Sequence, residues 1–350
     1  MCKHILCCCL YVLSFSYVSI AQEAPAEQLA NEEKPSLFSW LYTGTDEVLE
    51  LTIETDVRCV IRQKLKEEYQ KATLKIRNAD GELFEQQLKI RARGNTRKEV
   101  CYYPPLKLKF KKSVLSAAGF SSSNELKLVT QCRDTKTCEF YTAKEYMAYK
   151  LYNMISPYSF RVQLLRISFV DTKGKGKTKE MLGFLIEPEE EMAERVGGKL
   201  AERNTMRSTF LTNEPNQRMA IFQYMIGNTD WSIGNSHNLK FLKVPEYERL
   251  TPVPYDFDYA GLVNTDYAIP FTTLPIKSVT ERLYRGIECL DAEIPPLVEY
   301  FKAREDEIMN YTASFPHFSD PVRREVSRYL EDFFDFLDRE KHVRSAFGSK

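Results

Sequence analysis

The chain has no excess charge of either sign. Its 350 residues include 49 Lys and Arg and 49 Asp and Glu, so the formal net charge is zero. A protein whose main task is to bind nucleic acid or an anionic membrane needs a basic excess or a basic face. The balanced composition therefore argues against both classes, and we expect no nucleic-acid partner. Any polyanion bound by this chain must meet local positive charge or a metal.

Glycine and histidine are also scarce, with 14 and 4 residues. There is no Gly-x-Gly-x-x-Gly phosphate loop, no fixed repeat and no Gly-x-Ser-x-Gly nucleophile elbow. With so few histidines, a hydrolase built on a Ser-His-Asp triad is disfavoured. No Cys-x-x-Cys pair occurs and no histidine stands beside the later cysteines, which disfavours a zinc site. The remaining composition, 43% hydrophobic and 28% charged, is typical of a globular protein.

Long apolar runs are missing except at the N-terminus. Residues 1–21 combine Lys3, an apolar stretch over 5–18, and the small residues Ser19 and Ala21. This pattern predicts a secretory signal peptide cleaved after Ala21, because the stretch is too short for a comfortable membrane anchor. No later segment has about 18 continuous apolar residues. We therefore expect a secreted or periplasmic protein with no transmembrane span in the mature chain.

Cysteine usage depends on that leader, because four of the nine cysteines lie within it. In an oxidising compartment the remaining five can form disulfides. Cys132 and Cys138 would close a short loop, and Cys59 with Cys101 would form a plausible second pair. Cys289 would be left over, buried as a small hydrophobic residue.

Hydrophobic periodicity predicts a β-rich first part followed by a mainly helical second part. Short alternating segments indicate antiparallel strands, and the apolar spacing over 142–155 and 216–228 predicts helices. The expected fold class is α+β with two lobes. The expected divisions are a flexible linker over 22–46, a β-rich N-lobe over 47–190 and a helical C-lobe over 191–350.

Acidic and amide side chains concentrate between residues 224 and 261. Asp230, Asn235 and Asn238 precede a short strand, and a second strand leads to Asp256 and Asp258. Hard divalent cations prefer carboxylate and amide oxygens. Phosphoryl transfer needs a carboxylate directed at the attacking hydroxyl and a metal that neutralises the phosphates. The same residues are common in turns, so the spacing alone leaves an ordinary loop open.

Several blocks, in the same order, resemble the CotH kinase-like family, the spore coat protein H group of atypical kinases. They span about 47–265, roughly two-thirds of the chain, and none is specific alone. The blocks are KIRARGNTRKEVCYYPPLKLKF, ELKLVTQCRD, the strand pair RVQLLRISFVD and EMLGFLIEPEE, IGNTDWSIGNSHNLKFL and VPYDFDYAG. The resemblance implies a two-lobed, atypical protein-kinase-like fold that uses ATP and Mg or Mn.

The resemblance also implies roles for the acidic stretch. Asp230 would be the acidic residue of the catalytic loop, which accepts the proton of the substrate hydroxyl or orients that hydroxyl. The metal-binding amide would be Asn238, which directly precedes the strand LKFL, or Asn235, which has the more usual kinase spacing. Asp256 or Asp258 would hold the metal, with Asp256 slightly preferred because it ends the apolar strand.

The ATP-contacting residues are less sharply defined, because Gly94 is the only glycine in the RGNT block, where ordinary kinases have a glycine-rich loop. Alternating lysines on a strand commonly face water, which is an equally good explanation of the basic strand residues. A glutamate on the first long helix could pair with such a lysine. The candidates for nucleotide binding are Lys107, Lys109, Lys127, Arg93, Glu145 and Glu187.

Together these features predict a secreted kinase that transfers the γ-phosphoryl group of ATP to a hydroxyl of a protein or other acceptor. One alternative is a catalytically silent pseudokinase that serves as an interaction module of the cell envelope. Another is a metal- or carbohydrate-binding surface domain unrelated to ATP. Without its leader the chain has 48 basic and 49 acidic residues, so its net field cannot attract ATP. Nucleotide binding is therefore expected to depend on metal.

Overall fold

The β-rich part of the chain forms a closed, seven-stranded barrel. The computed structural model describes residues 34–174, 178–201 and 206–348. Neighbouring strands pair in the order β1-β2-β3-β4-β5-β7-β6, and a parallel pairing of β6 with β1 closes the barrel, while the other pairs are antiparallel. The strands are β1 (Leu49–Thr55), β2 (Gln70–Arg77), β3 (Leu83–Ala92), β4 (Leu106–Lys109), β5 (Glu125–Thr130), β6 (Val162–Asp171) and β7 (Thr178–Ile186).

Alternation of side chains builds the barrel core. In β1, Leu51 and Ile53 are buried, and Thr52 between them is only partly covered. They meet Ile90, Leu108 and Ile167 from other strands in one apolar cluster. Successive side chains of a strand point to opposite faces, so this pattern places every second residue inside the barrel.

A short helix precedes β1. Helix α1 (Leu37–Leu41) starts at Ser36, whose hydroxyl accepts a hydrogen bond from the Ser39 amide at 2.9 Å. Its residues Leu37, Phe38 and Leu41 are buried in the barrel cluster. This helix lies within the range 22–46 predicted as a flexible linker, and that division stays a prediction. The predicted signal peptide and the first part of that linker lie outside the described residues.

One long helix lies against the barrel. Helix α5 (Lys136–Ile155) begins earlier than the predicted 142–155, and the Thr135 hydroxyl caps it by accepting from the Cys138 amide at 3.2 Å. Most of its side chains are buried, including Glu145 and Tyr149. Three short helices link the strands that precede it. They are α2 (Val57–Arg62), α3 (Thr96–Val100) and α4 (Lys112–Ala117).

The rest of the chain is mainly helical and contains one small antiparallel sheet, ordered β10-β9-β8. The predicted α+β class, with a β-rich region before a helical part, is confirmed, whereas the closed barrel was not foreseen. Strand β7 ends near the boundary predicted at 190. The elements are α6 (Glu189–Arg195), β8 (Lys199–Leu200), a 3-10 turn (Ser208–Phe210), α7 (Asn213–Met225), β9 (Leu239–Lys243), β10 (Thr251–Pro254), α8 (Ile294–Lys302), α9 (Glu305–Ser314), α10 (Asp320–Leu337) and α11 (Glu340–Phe347).

None of the helices within the described part of the chain combines the length and the apolar character that crossing a membrane requires.

A disulfide joins Cys101 to Cys132, with the two Cα atoms 4.6 Å apart. The predicted pairs Cys132–Cys138 and Cys59–Cys101 are therefore wrong. Antiparallel pairing of β4 with β5 brings the residues before β4 beside the end of β5, and the Tyr103 amide donates to the Cys132 carbonyl at 3.1 Å. Cys59, Cys138 and Cys289 are free thiols.

The barrel core yields a stability prediction. Leu108 is fully buried, whereas Leu65 is 63% exposed. We expect Leu108→Ala to lower the free energy of unfolding by about 2–5 kcal/mol, because it leaves a cavity in a packed core. The same change at Leu65 should alter it by less than about 0.5 kcal/mol. Urea denaturation of both variants measures the difference, and equal effects would contradict this description of the core.

Candidate active site

A cleft opens where the barrel meets the helical part. The segment that leaves β3 forms one wall, and the loops that follow α7 and β10 form the other. Asp230, Asn238, Asp256, Asp258 and Arg93, which are all sequence-predicted site residues, line this one cleft. The full lining consists of Arg93, Gly94, Asn95, Thr96, Arg97, Pro105, Asp230, His237, Asn238, Asp256, Asp258, Tyr259, Ile269 and Phe271.

The Asp230 carboxylate is held on both oxygens. Oδ1 lies 2.9 Å from Nε2 of His237, and Oδ2 accepts from Nδ2 of Asn238 at 3.1 Å. The same Asn238 amide also donates to the Asp230 carbonyl at 2.8 Å. The hydrogen bond to Asp230 raises the pKa of His237 and outweighs its partial burial. Asp230 is therefore pre-oriented, while the side-chain oxygen of Asn238 makes none of these bonds.

A distant arginine fixes the backbone around Asp230. Arg285 donates from Nη1 to the carbonyl of Thr229 and, at 2.9 Å, to that of Trp231. These carbonyls lie on either side of Asp230 in the chain. The Asp230 amide donates to Oδ1 of Asn228 at 2.9 Å. The backbone of this loop is thus fixed by Arg285 and Asn228, neither of which lines the cleft.

Left-handed backbone conformations mark the same region. Five non-glycine residues in the described ranges have positive φ, and three of them are Ser236 (55°), Asn238 (52°) and Asp256 (64°). Such conformations are uncommon outside glycine, and they concentrate where a site over-determines the backbone. The Asp256 amide donates to the Tyr149 hydroxyl of α5 at 2.8 Å. The turn after β10 is therefore fixed by the long helix.

Arg97 lines the cleft and forms a buried ion pair with Glu145, which lies behind it and does not itself line the cleft. Nη1 of Arg97, on α3, donates to Glu145 of α5 at 2.8 Å, and the two side chains are 8% and 2% exposed. Nη2 of Arg97 donates to the Thr130 carbonyl at 3.1 Å. Its Nε lies 3.9 Å from Asp258, which also accepts from the Tyr267 hydroxyl at 2.9 Å. One guanidinium thus connects the barrel, α5 and the loop after β10.

The sequence predicted that Glu145 forms an ion pair with a lysine, whereas its partner in the structure is Arg97. Arg97 was missed, because a helix as short as α3 leaves no periodic signal and because the burial of a charge is decided by its tertiary partners. One signal was present in the sequence. Arg97 directly follows RGNT, within the block KIRARGNTRKEVCYYPPLKLKF that contributes to the resemblance.

Negative charge exceeds positive charge at this wall. Burial raises the pKa of Glu145, and the Arg97 guanidinium opposes that effect. Burial and then the neighbouring Asp256 raise the pKa of Asp258 well above its ordinary value. Among the described residues, Nε of Arg97 and Oε1 of Glu145 are buried without a hydrogen-bond partner. Glu145, Asp256 and Asp258 therefore outnumber the two nearby guanidinium groups, those of Arg97 and Arg93, an imbalance that an added cation would relieve.

Three predicted nucleotide-binding lysines lie elsewhere. Lys107 and Lys109 each contact Glu125 on β5 at 2.7 Å. Lys127 pairs with Glu189, and burial lowers the pKa of this lysine. None of the three lines the cleft. Their roles in nucleotide binding stay predictions.

Glu187 and Asn235 also lie away from the cleft. Glu187 binds Arg195 through two hydrogen bonds of 2.7 and 2.8 Å and accepts from the Arg161 amide at 2.9 Å, so its carboxylate is already engaged. Asn235 is exposed at the tip of the loop before β9, whereas Asn238 is buried in the cleft wall. Of the two candidate amides, only Asn238 lines the cleft beside Asp230.

No family model and no curated protein matched this chain. Among solved structures, the chain is similar to the Helicobacter pylori proinflammatory kinase CtkA. The two share 11% sequence identity at a TM-score of 0.38, with 69% of this chain and 94% of that chain covered. A likeness this weak decides neither the fold nor the function of this chain.

The buried ion pair makes a testable claim on stability. We expect Glu145→Gln to lower the free energy of unfolding by about 3–5 kcal/mol, because it leaves the Arg97 charge buried without its partner. The matched change Glu340→Gln, in an ion pair with Arg344 whose glutamate is 76% exposed, should have little effect. Chemical denaturation compares the two variants. Equal losses would show that the Arg97–Glu145 pair is not buried as described.

Proposed function

We propose that this chain is a metal-dependent, atypical kinase, similar to the CotH kinase-like family, that transfers the γ-phosphoryl group of ATP to a protein hydroxyl. One observation carries the proposal: Asp230, Asn238, Asp256 and Asp258 line a single cleft together with Arg97, which is held by a buried ion pair with Glu145. Phosphoryl transfer depends on positioning and electrostatics more than on covalent chemistry. A cleft of fixed carboxylates and one buried guanidinium suits that requirement.

Asp230 is the residue proposed to act on the acceptor. Its carboxylate side chain is 14% exposed, so it remains open to the cleft although both oxygens are hydrogen-bonded. Each carboxylate oxygen can accept more than one hydrogen bond, so an incoming hydroxyl can still donate to it. Asp230 would orient that hydroxyl and accept its proton, while His237 and Asn238 hold the carboxylate in place.

The donor set fits a hard divalent cation. Asp256, Asp258 and the side-chain oxygen of Asn238 would hold Mg or Mn, ions that prefer carboxylate and amide oxygens. Within the described ranges, no group of three or more His, Cys, Asp and Glu side chains is suited to hold a metal. The amide and the nucleotide phosphates would therefore have to complete the site. When bound, the metal would neutralise phosphate charge, which the balanced net charge of the chain cannot do.

Arg97 and Arg93 are the proposed protein cations. Nε of Arg97 has no hydrogen-bond partner, and Arg93 lines the same cleft just before the turn at Gly94, where φ is 89°. Arginine presents donors in a fixed plane that suits phosphate oxygens. In this proposal Arg97, held by Glu145, takes the place expected of a lysine.

The proposal includes a location outside the cytoplasm and an acceptor found there. The predicted leader, cleaved after Ala21, would bring the enzyme to the cell envelope or the medium, where its substrate would be a protein or another envelope component. ATP is scarce there. A nucleotide-binding module without turnover is therefore the competing function, and transfer must be measured separately from binding.

Nucleotide binding should require metal. We expect ATP with Mn to raise the melting temperature by several degrees, because a ligand that binds only the folded state stabilises it. ATP with EDTA should produce no shift, because the carboxylate-rich cleft would not bind the nucleotide without the metal. Asp256→Asn should abolish the shift. Asp291→Asn, at an aspartate whose side chain is 78% exposed, is the matched control and should retain it. An equal shift with and without metal would contradict the assigned cation site.

Transfer should require Asp230. With radiolabelled ATP and a mixed protein acceptor, we expect Asp230→Asn to lower labelling by about 10²–10⁴-fold, the usual contribution of a positioned general base, while ATP binding with Mn persists. Asn238→Ala should also lower labelling, whereas Asn235→Ala should not. Unchanged labelling in Asp230→Asn would refute the catalytic assignment. Binding without any transfer by the unmodified protein would support the silent pseudokinase instead.

A further inference from the structure

Three cysteines meet beside the cleft. Cys101 and Cys132 form the disulfide, Cys138 is a buried free thiol, and the three make one cluster separate from the two large apolar cores. Tyr141 and Tyr267 pack against the cluster. Tyr267 is the residue that donates to Asp258, so the sulfur atoms lie directly behind the charged wall of the cleft.

The chain between Cys132 and Cys138 doubles back on itself. Nε2 of Gln131 donates to the carbonyls of Arg133 at 2.9 Å and Thr135 at 2.6 Å, and the Thr135 amide donates to the Arg133 carbonyl at 2.8 Å. This tight turn returns Cys138, in the first turn of α5, to the side of Cys132. Cys132 therefore shares one cluster with two other cysteines, Cys101 at the end of α3 and Cys138 in α5.

We propose that Cys138 is an exchange partner for the Cys101–Cys132 disulfide. The Cys138 thiolate attacks Sγ of Cys132, the Cys132–Cys138 bond forms, and the Cys101–Cys132 bond breaks. Cys101 leaves as a thiolate and takes up the proton that Cys138 released. The exchange conserves one disulfide and one thiol, so it needs no external oxidant or reductant. The structure shows the Cys101–Cys132 disulfide, and the Cys132–Cys138 disulfide is proposed as the exchanged form. Its two cysteines are only six residues apart in the sequence.

The exchange would alter the attachment of α3. The Cys101 amide donates to the Arg97 carbonyl at 3.1 Å, so this cysteine ends the short helix that carries Arg97. Its disulfide ties that end to β5. After exchange, α3 would keep the Arg97–Glu145 pair and the bond from Lys64 to the Cys101 carbonyl, at 2.6 Å, but lose its covalent tie. The thiol pairing would therefore set how firmly Arg97 is held, whatever the cleft binds.

Peptide mapping can separate the two pairings. Arg133 and Lys136 lie between Cys132 and Cys138, so trypsin places these cysteines on different peptides. The full chain is incubated in a glutathione redox buffer, quenched in acid, alkylated and digested without reduction. We expect a Cys132–Cys138 linked peptide, with alkylated Cys101, as a minor species of the unmodified protein. Absence of that species in the unmodified protein would overturn the proposal.

Two variants isolate the states. Cys101→Ser should contain mainly the Cys132–Cys138 bond. Cys138→Ser should contain only the Cys101–Cys132 bond, so that Cys101 is no longer alkylated. Cys289→Ser, at another buried free thiol, should keep the pattern of the unmodified protein. If folded Cys101→Ser has both Cys132 and Cys138 alkylated, Cys138 is only a packing residue and the proposal fails. Should that variant not fold, the map of the unmodified protein decides.

The effect on α3 has its own readout. Hydrogen exchange of the amides over residues 96–101 should be at least about tenfold faster in Cys101→Ser than in Cys138→Ser, because local opening controls the rate. This measurement uses no nucleotide, so its outcome is independent of the proposed kinase activity. Equal exchange rates in the two variants would show that the pairing does not control α3.

Discussion

The buried ion pair between Arg97 and Glu145 is the interaction on which the cleft depends. Removing two charges from water is costly, and a pair is retained in the interior only when its geometry and its further hydrogen bonds offset that cost. Here the guanidinium also reaches the Thr130 carbonyl and lies near Asp258. Three parts of the chain that are distant in sequence therefore meet at one side chain.

The opposite wall is organised around Asp230 by a different device. Backbone carbonyls on both sides of this residue are bound by Arg285, and its carboxylate is bound by His237 and Asn238. Taken over the whole cleft lining, the carboxylates of Asp230, Asp256 and Asp258 outnumber the two arginines, Arg93 and Arg97. In a chain with no net charge, that excess is local, and it makes the cleft a better environment for a cation than for an anion alone. A polyanionic nucleotide would enter it most readily together with a metal.

Periodicity was a sufficient guide to the order of strands and helices, because burial of one face imposes a repeat that can be read along the chain. It did not reveal barrel closure, which depends on a parallel pairing that places Leu49 opposite Leu165. It also missed α1, whose acidic, proline-containing surroundings obscured three buried apolar residues. Proximity in sequence misled the assignment of disulfides, because pairing of β4 with β5 brings Cys101 closer to the end of β5 than sequence separation suggests.

The sequence by itself determined the chemical inventory: balanced charge, a cluster of carboxylates and amides over 230–258, and a β-rich half before a helical half. These are properties of local composition and spacing, which a linear chain displays directly. The tertiary structure alone decided that Asp230, Asn238, Asp256 and Asp258 share a cleft, that the partner of Glu145 is Arg97, and that Asn235 stays outside. Burial and charge pairing depend on contacts between distant segments, and no local pattern encodes them.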